Sequence, residues 1–393
     1  MRNCRGECLQ SPKGEYMIKN NYFEEIKGNF GFGCMRLPMK GGEIDYDEFK
    51  KMADDFISAG FNYFDTAHGY HNGLSEIAVR EYVAKRYDRS EFLLTNKLTA
   101  PYFNKTEDIE PFIKNQLEWC GVDYFDFYLM HAQGKTNYDK FKECKAYETA
   151  YKFKEKGYIK HFGISFHDKA DYLEMILRER PEIEVVQIQL NYVDWEDATV
   201  ESRKVYEVCE KYNKPVIVME PVKGGSLVNL PESADKIFRD LNGGSNASYA
   251  LRFAASHKNI TMVLSGMSNM EQLTDNVNTM KDFKPINAEE QVAIDKVCEI
   301  FKSLKLIPCT NCHYCIEENH CPKNILIPDM FSALNAHEAF HNWNTGYYYG
   351  EVLTKGEHGK ASDCIKCGKC EKVCPQHLPI RELLTKVAGT FEK

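Results

Sequence analysis

The sequence predicts a closed (β/α)8 barrel followed by a small cysteine-rich domain. The length of 393 residues suits one barrel-sized unit with an addition. Between Gly31 and about Asn278, short apolar runs alternate with longer amphipathic runs eight times, which is typical of repeated βα units. Eight of the fifteen cysteines lie within the last 85 residues. These observations indicate an α/β barrel with a separate domain after it.

The strand and helix predictions follow this alternation. The predicted strands are 30–34, 63–65, 92–97, 126–131, 161–165, 185–189, 216–220 and 262–266. The predicted helices are 45–58, 74–86, 106–120, 138–156, 168–178, 198–212, 245–256 and 268–280, with one more at 287–303. Thr106, followed by acidic residues, is a predicted N-cap, and Gly121 is a left-handed terminator. Eight parallel strands within roughly 250 residues favour a closed barrel over an open sheet.

The predicted domain boundaries follow changes in composition. Residues 1–27 are a predicted leader and residues 28–305 form the barrel with its trailing helix. The composition changes at Pro308, where the clustered cysteines begin, so residues 306–393 form the second domain.

Composition excludes several classes of partner. The net charge is −8 and no basic cluster is present, whereas a nucleic-acid-binding face is rich in Lys and Arg. The first 16 residues are polar and lack the apolar core of a signal peptide. No apolar run approaches the ~20 residues needed to cross a bilayer. We therefore expect a cytoplasmic protein without nucleic-acid or membrane partners, whose thiols are reduced or metal-bound.

Four polar residues fall at the C-terminal ends of successive predicted strands, where barrel enzymes carry their chemistry. Asp65 ends the second strand, Tyr70 follows it, Lys97 ends the third and His131 ends the fourth. We expect Asp65 to pair with Lys97, the Lys97 cation to lower the pKa of Tyr70, and His131 to bind the same substrate oxygen. Each residue alone has an ordinary structural explanation, but the four together favour catalysis.

The same residues carry a family resemblance. The stretch 31–38, GFGCMRLP, together with 65–70, Lys97 and His131, resembles the aldo-keto reductase family over residues 28–283. The resemblance implies a (β/α)8 barrel that reduces carbonyls with a nicotinamide hydride. It implies Tyr70 as the general acid, Lys97 and Asp65 as residues that tune it, and His131 as the residue that orients the carbonyl.

The resemblance also implies a nucleotide pocket. Ser165 and Gln187 would hold the nicotinamide carboxamide, and Asp275 and Asn276 the adenine. Further implied cofactor-binding positions are Met35, Met219, Gly266, Ser268 and Gln272. A barrel-filling Gln187 and a solvent-exposed Asn276 are the structural alternatives.

Departures from the family pattern leave the choice between NADP and NAD open. Phe166 and Met219 stand where many members have asparagine and tyrosine. Gly266 and Gln272 stand at positions where basic residues usually bind a 2′-phosphate. Arg36 or Lys223 would have to substitute for them.

The C-terminal cysteines form two motifs. Cys364, Cys367, Cys370 and Cys374 have the CxxCxxCxxxCP spacing of a bacterial ferredoxin. The upstream copy consists of Cys309, Cys312, Cys315 and, after a longer gap of five residues, Cys321. Because two-cluster ferredoxins exchange their fourth ligands, we expect one [4Fe-4S] cluster on Cys309, Cys312, Cys315 and Cys374. The other would use Cys364, Cys367, Cys370 and Cys321. Zinc is the alternative for the first motif.

The whole chain thus resembles the bacterial aldo-keto reductases that carry a C-terminal ferredoxin-like domain. This resemblance implies an NADP- or NAD-dependent oxidoreductase acting on a small carbonyl or alcohol, with two [4Fe-4S] clusters. A ferredoxin or a flavoprotein would be its electron partner. The alternative is a redox-sensing electron-transfer protein whose barrel binds a nucleotide without turning it over.

Overall fold

A computed structural model describes residues 9–10, 16–17, 22–197, 200–304, 306–317, 321–340 and 344–392. Most of the predicted leader, including Cys4 and Cys8, lies outside the described residues.

Eight parallel strands form the predicted closed barrel. They are β1 (Phe30–Gly33), β2 (Tyr63–Asp65), β3 (Leu93–Leu98), β4 (Phe125–Gln133), β5 (Ile159–Phe166), β6 (Val185–Gln189), β7 (Val216–Met219) and β8 (Ile260–Ser265). Each strand pairs with its neighbours in sequence, and β8 pairs with β1 to close the barrel. All eight overlap the predicted segments, so the predicted fold class is confirmed.

Helices alternate with these strands along the chain. They are α1 (Tyr46–Ser58), α2 (Leu74–Val79), α3 (Thr106–Cys120), α4 (Tyr138–Glu143), α5 (Ala146–Glu155), α6 (Ala170–Glu179), α7 (Ser202–Lys211), α8 (Glu232–Leu241), α9 (Asn246–Ala255), α10 (Met270–Lys281) and α11 (Ala288–Leu304). Gly121 ends α3 with a φ of 67°, as predicted. The N-cap of α3 is Lys105, one residue before the predicted Thr106.

Apolar side chains from six of the eight strands fill the interior of the barrel. Tyr63, Leu93, Phe127, Leu129, Val185, Ile217, Met262 and Leu264 form one buried cluster with Phe23 and Ile26 from the segment before β1. The Phe23 ring also packs on His161, with ring centroids 4.6 Å apart. The barrel interior is therefore a filled core.

The chain divides into two compact units. One holds the described residues up to Pro221 together with Ala247–Ile286, and the other holds Val222–Asn246 and the described residues from Asn287 onward. Helices α8 and α11, which the sequence assigns to the barrel domain, therefore share a unit with the cysteine-rich segment. The domain boundary near residue 306 stays a prediction.

Short helices form the cysteine-rich segment. They are α12 (Tyr314–Glu317), α13 (Ile327–Phe340), α14 (Asn344–Tyr348), α15 (Lys369–Lys372) and α16 (Ile380–Phe391). Their apolar side chains, among them Ile327, Phe331 and Leu384, form a separate buried core against which several of the cysteines pack. Of the helices in the described ranges, none combines the length and apolarity that a membrane span requires.

Candidate active site and cysteine cavities

The Lys97 ammonium is the centre of the polar site at the ends of β2 and β3. It donates hydrogen bonds to Asp65 Oδ1 over 2.5 Å, to the Thr66 carbonyl over 2.9 Å and to the Tyr70 hydroxyl over 3.2 Å. The barrel register places Asp65 beside Thr95, so Lys97 lies two residues further along β3 and reaches back to the carboxylate. All three ammonium protons have acceptors, and the side chain is fully buried.

This environment keeps Lys97 charged. Burial alone would lower the pKa of the ammonium, but the neighbouring Asp65 and Tyr70 outweigh it and raise the pKa above its ordinary value. The site therefore holds a permanent cation against the phenol of Tyr70.

His131 lies beside Tyr70 at the end of β4. The two rings meet edge to face with centroids 6.3 Å apart, and His131 Nδ1 hydrogen-bonds with Thr99 Oγ1 over 2.8 Å. Burial, followed by repulsion from the Lys97 cation and from His167, holds the pKa of His131 well below its ordinary range. His131 is therefore a neutral imidazole with Nδ1 occupied by Thr99.

The loop that carries Tyr70 has an unusual backbone. His71 and Asn72 have φ values of 51° and 53°, and Gly73 follows with a φ of 88°. Consecutive left-handed residues turn the chain sharply, at a cost of order 1 kcal/mol for each residue that is not glycine. His71 Nε2 accepts a hydrogen bond from the Leu37 N–H over 3.3 Å, which ties this turn to the segment after β1.

A buried carboxylate, Glu76, is linked to the Lys97 backbone through a hydrogen-bond network. Glu76 is fully buried and contacts His68 Nδ1 over 2.6 Å, while it accepts hydrogen bonds from the side-chain amides of Asn96 over 2.8 Å and Gln116 over 3.2 Å. The Asn96 side-chain oxygen in turn accepts from the backbone N–H of Lys97 over 2.8 Å. Sequence reasoning missed Glu76, because an acid in the first turn of a helix is usually an exposed capping residue.

Two of the predicted nicotinamide residues are neighbours across β5 and β6. Ser165 and Gln187 are register partners, and both are buried. Gln187 Nε2 donates to Asp65 Oδ2 over 3.2 Å, and Ser165 Oγ accepts from the Ala132 N–H over 2.8 Å. The structure therefore connects Gln187 directly to the group around Lys97.

A second set of predicted nucleotide residues meets where β1 and β8 end. Ser268 Oγ donates to the Arg36 carbonyl over 3.0 Å, and the Ser268 N–H donates to Gln272 Oε1 over 2.8 Å. The Arg36 side chain packs over Gly266, where an added Cβ would lie 3.1 Å from Arg36 Cβ. Arg36 therefore lies beside Gly266 and Ser268, two of the positions predicted to bind the cofactor.

The remaining predicted positions are more scattered. Asn276 is buried on α10 and donates to Ser265 Oγ over 2.9 Å, so it is not an exposed helix residue. Asp275 precedes it on α10, Met219 ends β7, and Met35 lies in the 3-10 turn Cys34–Arg36.

The eight clustered cysteines line two separate cavities. One is lined by Cys309, Cys312, Cys315 and Cys374. The other is lined by Cys364, Cys367, Cys370 and Cys321. In each cavity the last cysteine comes from the other sequence motif, which is the exchange expected from the spacing. Ile327 lines both cavities.

The two cysteine motifs share one backbone pattern. Asn311 and Lys366 occupy the same position within their CxxC loops, and both have positive φ values of 53° and 56°. His313 and Gly368, which follow the second cysteine of each motif, are also left-handed, with φ values of 68° and 73°. A short helix then starts in both copies, at Tyr314 and at Lys369. The motifs are therefore structural repeats despite the longer gap before Cys321.

The donor set of each cavity fits a [4Fe-4S] cube. Four thiols surround each space, and every cysteine in the described part of the chain is free of a disulfide. Four thiolates are the ligand number of such a cube.

Comparison with known proteins identifies the family. Residues 29–299 match the model of the Aldo/keto reductase family. The chain belongs to this family. Residues 308–378 match the model of the 4Fe-4S dicluster domain. Both parts of the resemblance seen in the sequence are confirmed, and this aldo/keto reductase carries an iron-sulfur domain after its barrel.

Individual relatives of this aldo/keto reductase are distant. Human aldo-keto reductase family 1 member C3 is 29% identical over 166 residues, 38% of this chain and 50% of the relative. The chain thus spans about half the length of such curated relatives. An aldo-keto reductase from Mycolicibacterium smegmatis is 27% identical over 246 residues, 62% of this chain and 81% of that protein.

Solved structures show the same fold. The holo form of aldo-keto reductase AKR11C1 from Bacillus halodurans has a TM-score of 0.56 at 24% identity, covering 69% of this chain and 92% of that one. An aldo-keto reductase from Klebsiella pneumoniae in complex with NADPH has a TM-score of 0.58 at 16% identity, covering 75% and 95%.

Proposed function

We propose that this protein is an NADP- or NAD-dependent oxidoreductase that interconverts a small carbonyl compound and its alcohol. One observation carries the proposal. The buried Lys97 ammonium bridges Asp65 and the Tyr70 hydroxyl, beside a neutral His131. Family membership and the NADPH complex of a structural relative support the same chemistry.

The hydrogen-bond directions suit Tyr70 as the general acid. Lys97 donates to the phenol oxygen, and the phenol O–H would in turn donate its proton to a substrate oxygen. The phenolate that remains would lie 3.2 Å from a permanent cation, and this cation stabilises the negative charge. His131, with Nδ1 engaged by Thr99, would present its other ring nitrogen to the carbonyl oxygen and orient it.

Ser165 and Gln187 would hold the nicotinamide carboxamide. Met35, Met219, Gly266, Ser268, Gln272, Asp275 and Asn276 would line the rest of the nucleotide pocket. When bound, a nicotinamide nucleotide supplies or accepts a hydride. Arg36, which packs over Gly266, would bind a 2′-phosphate, and its position supports NADP.

We further propose two [4Fe-4S] clusters, one for each cysteine cavity, and a cytoplasmic ferredoxin or flavoprotein as electron partner. Cys309, Cys312, Cys315 and Cys374 would hold one cluster, and Cys364, Cys367, Cys370 and Cys321 the other. Such clusters transfer single electrons. The crossed lining of the two cavities supports this ligand set.

The variant Tyr70→Phe tests the catalytic proposal. We expect it to lower the kcat of carbonyl-dependent NAD(P)H oxidation by about 10²- to 10⁴-fold, the usual contribution of a general acid. Nucleotide affinity and iron content should not change. Tyr46→Phe is the matched control, because Tyr46 begins α1 and its ring stacks on Tyr82.

Two results would contradict the proposal. Full turnover by Tyr70→Phe would show that Tyr70 is not the general acid. Tight nucleotide binding by the wild type without turnover of any carbonyl in a broad panel would instead indicate a redox-sensing barrel.

A further inference from the structure

The two cysteine cavities differ in their exposure. In the cavity shared with Cys321, Cys367 is exposed, Cys321 and Cys364 are half-buried and Cys370 is buried. In the other cavity Cys315 is buried, and Cys309, Cys312 and Cys374 are half-buried. Electron transfer between proteins slows steeply with distance, so the exposed thiol marks the shorter route to a partner. Electrons would therefore pass to a partner protein more readily from the Cys367 cavity.

The two cavities also differ in charge. Lys323, Lys369 and Arg381 are among the residues that line the Cys367 cavity. The described residues that line the Cys309 cavity include no lysine or arginine. An electrostatic field that attracts anions is therefore built at one cavity and not at the other.

An exposed surface surrounds Cys367. We call it the Lys366 face, and it consists of Ile365, Lys366, Cys367, Lys369 and Lys372, all exposed. Ile365 alone is 57% exposed. Residues 364–372 hold three lysines and one glutamate, and that glutamate, Glu371, accepts a hydrogen bond from Arg381 Nε over 2.7 Å.

The sign of this face is opposite to that of the chain. The protein has 58 acidic and 50 basic residues and a net charge of −8, so a local excess of lysine beside an exposed thiol sets a preferred orientation for an acidic partner. An exposed apolar side chain within a charged rim is a common feature of docking surfaces.

We propose that the Lys366 face is the docking site for a small one-electron carrier protein with an acidic surface. This inference rests on the proposed function, because it requires a cluster in the Cys367 cavity. One electron passes between the reduced member of the pair and the oxidised member, and no other bond changes. The lysines provide steering and orientation, and Ile365 provides the apolar contact.

Two coloured one-electron acceptors of opposite charge test the proposal on the anaerobically purified full chain. With the clusters reduced by dithionite and the excess removed, oxidised plastocyanin, which is acidic, and oxidised cytochrome c, which is basic, are each mixed in by stopped flow. We expect the second-order rate constant for plastocyanin to fall at least tenfold between low and high salt. The rate constant for cytochrome c should stay level or rise.

Charge reversal locates the site. The triple variant Lys366→Glu, Lys369→Glu and Lys372→Glu should lower the plastocyanin rate constant at low salt by about tenfold or more. The triple variant Lys50→Glu, Lys51→Glu and Lys152→Glu changes the net charge equally at exposed lysines of the barrel unit and should stay within about twofold of wild type. Equal losses in both variants would overturn the proposal, because they would show an effect of net charge alone.

A second readout does not depend on electron transfer. Carbodiimide cross-linking of the full chain with plastocyanin joins lysines to carboxylates that touch, and mass spectrometry should find Lys366, Lys369 or Lys372 in the products. Cross-links confined to other lysines would contradict the proposal. Iron content and NAD(P)H-dependent carbonyl reduction, measured on the same preparations, show separately whether the proposed function has failed.

Discussion

Lys97 donates a hydrogen bond to Asp65 over 2.5 Å, and both side chains are buried in the barrel. A buried ion pair of this kind has two roles that are easily confused. Each charge stabilises the other against desolvation, so removal of one partner costs about 3–5 kcal/mol. In our proposal the Lys97 cation also stabilises the deprotonated Tyr70.

A double variant separates these two roles. Lys97→Met should lower both kcat and stability, because it leaves the Asp65 carboxylate buried without its cation. Lys97→Met combined with Asp65→Asn should regain much of the stability while kcat remains at least about 100-fold below wild type. Urea unfolding and carbonyl reduction at saturating nucleotide measure the two quantities. Recovery of kcat together with stability would show that Lys97 acts only in folding.

The lowered pKa of His131 leads to a prediction for the pH profile of kcat. Its pKa lies well below the ordinary value, first through burial and then through repulsion by Lys97 and His167. The imidazole should therefore be neutral throughout pH 6–8, and the pH profile of kcat should show no step near 6.5 that belongs to His131. His131→Asn should lower kcat without changing the shape of the profile. A step near 6.5 in wild type that disappears in His131→Asn would contradict this assignment.

The extent to which the sequence predicts this protein depends on the type of interaction. All eight strands were predictable, because apolar alternation is a local signal. The 4Fe-4S dicluster domain was also predictable, because the spacing of its cysteines is a local signal. Glu76 was not, since its burial depends on Asn96 and Gln116 arriving from two other elements. The grouping of α8 and α11 with the cysteine-rich segment was not predictable either. It depends on packing between elements, which the periodicity of a single helix does not specify.

His161 makes the stability of the barrel depend on pH. It contacts Glu25 over 2.6 Å and Glu184 over 3.2 Å. Burial alone would lower its pKa, but the two carboxylates outweigh burial and raise the pKa above 6.5. A raised folded-state pKa means that this stabilisation is complete below the unfolded pKa of about 6.5 and is lost as pH rises through the folded value.

We therefore expect His161→Gln to reduce the difference in unfolding midpoint between pH 6 and pH 9. The comparison variant is His257→Gln, because burial lowers the pKa of His257 to about 4. Only the unfolded state then takes up this proton near pH 6.5, so removal of His257 should change the pH dependence in the opposite direction. Urea titrations followed by tryptophan fluorescence measure the midpoints. Parallel pH dependences for wild type and His161→Gln would contradict the assignment.

The crossed cysteine ligands can be tested by counting iron in a background that retains one cluster. Cys364→Ser, Cys367→Ser and Cys370→Ser together should leave about four iron atoms per chain, held by the Cys309 motif. The last ligand of that cluster should be Cys374, since Cys374 lines the Cys309 cavity and Cys321 lines the other. Adding Cys374→Ser should therefore remove the remaining iron, whereas adding Cys321→Ser should not.

The reciprocal background provides the control for folding. With Cys309, Cys312 and Cys315 replaced by serine, the remaining cluster should need Cys321 and tolerate Cys374→Ser. If each motif instead retained its own last cysteine, both outcomes would be inverted. Because the two backgrounds predict opposite dependences on the same two substitutions, a general loss of folding cannot imitate the crossed pattern.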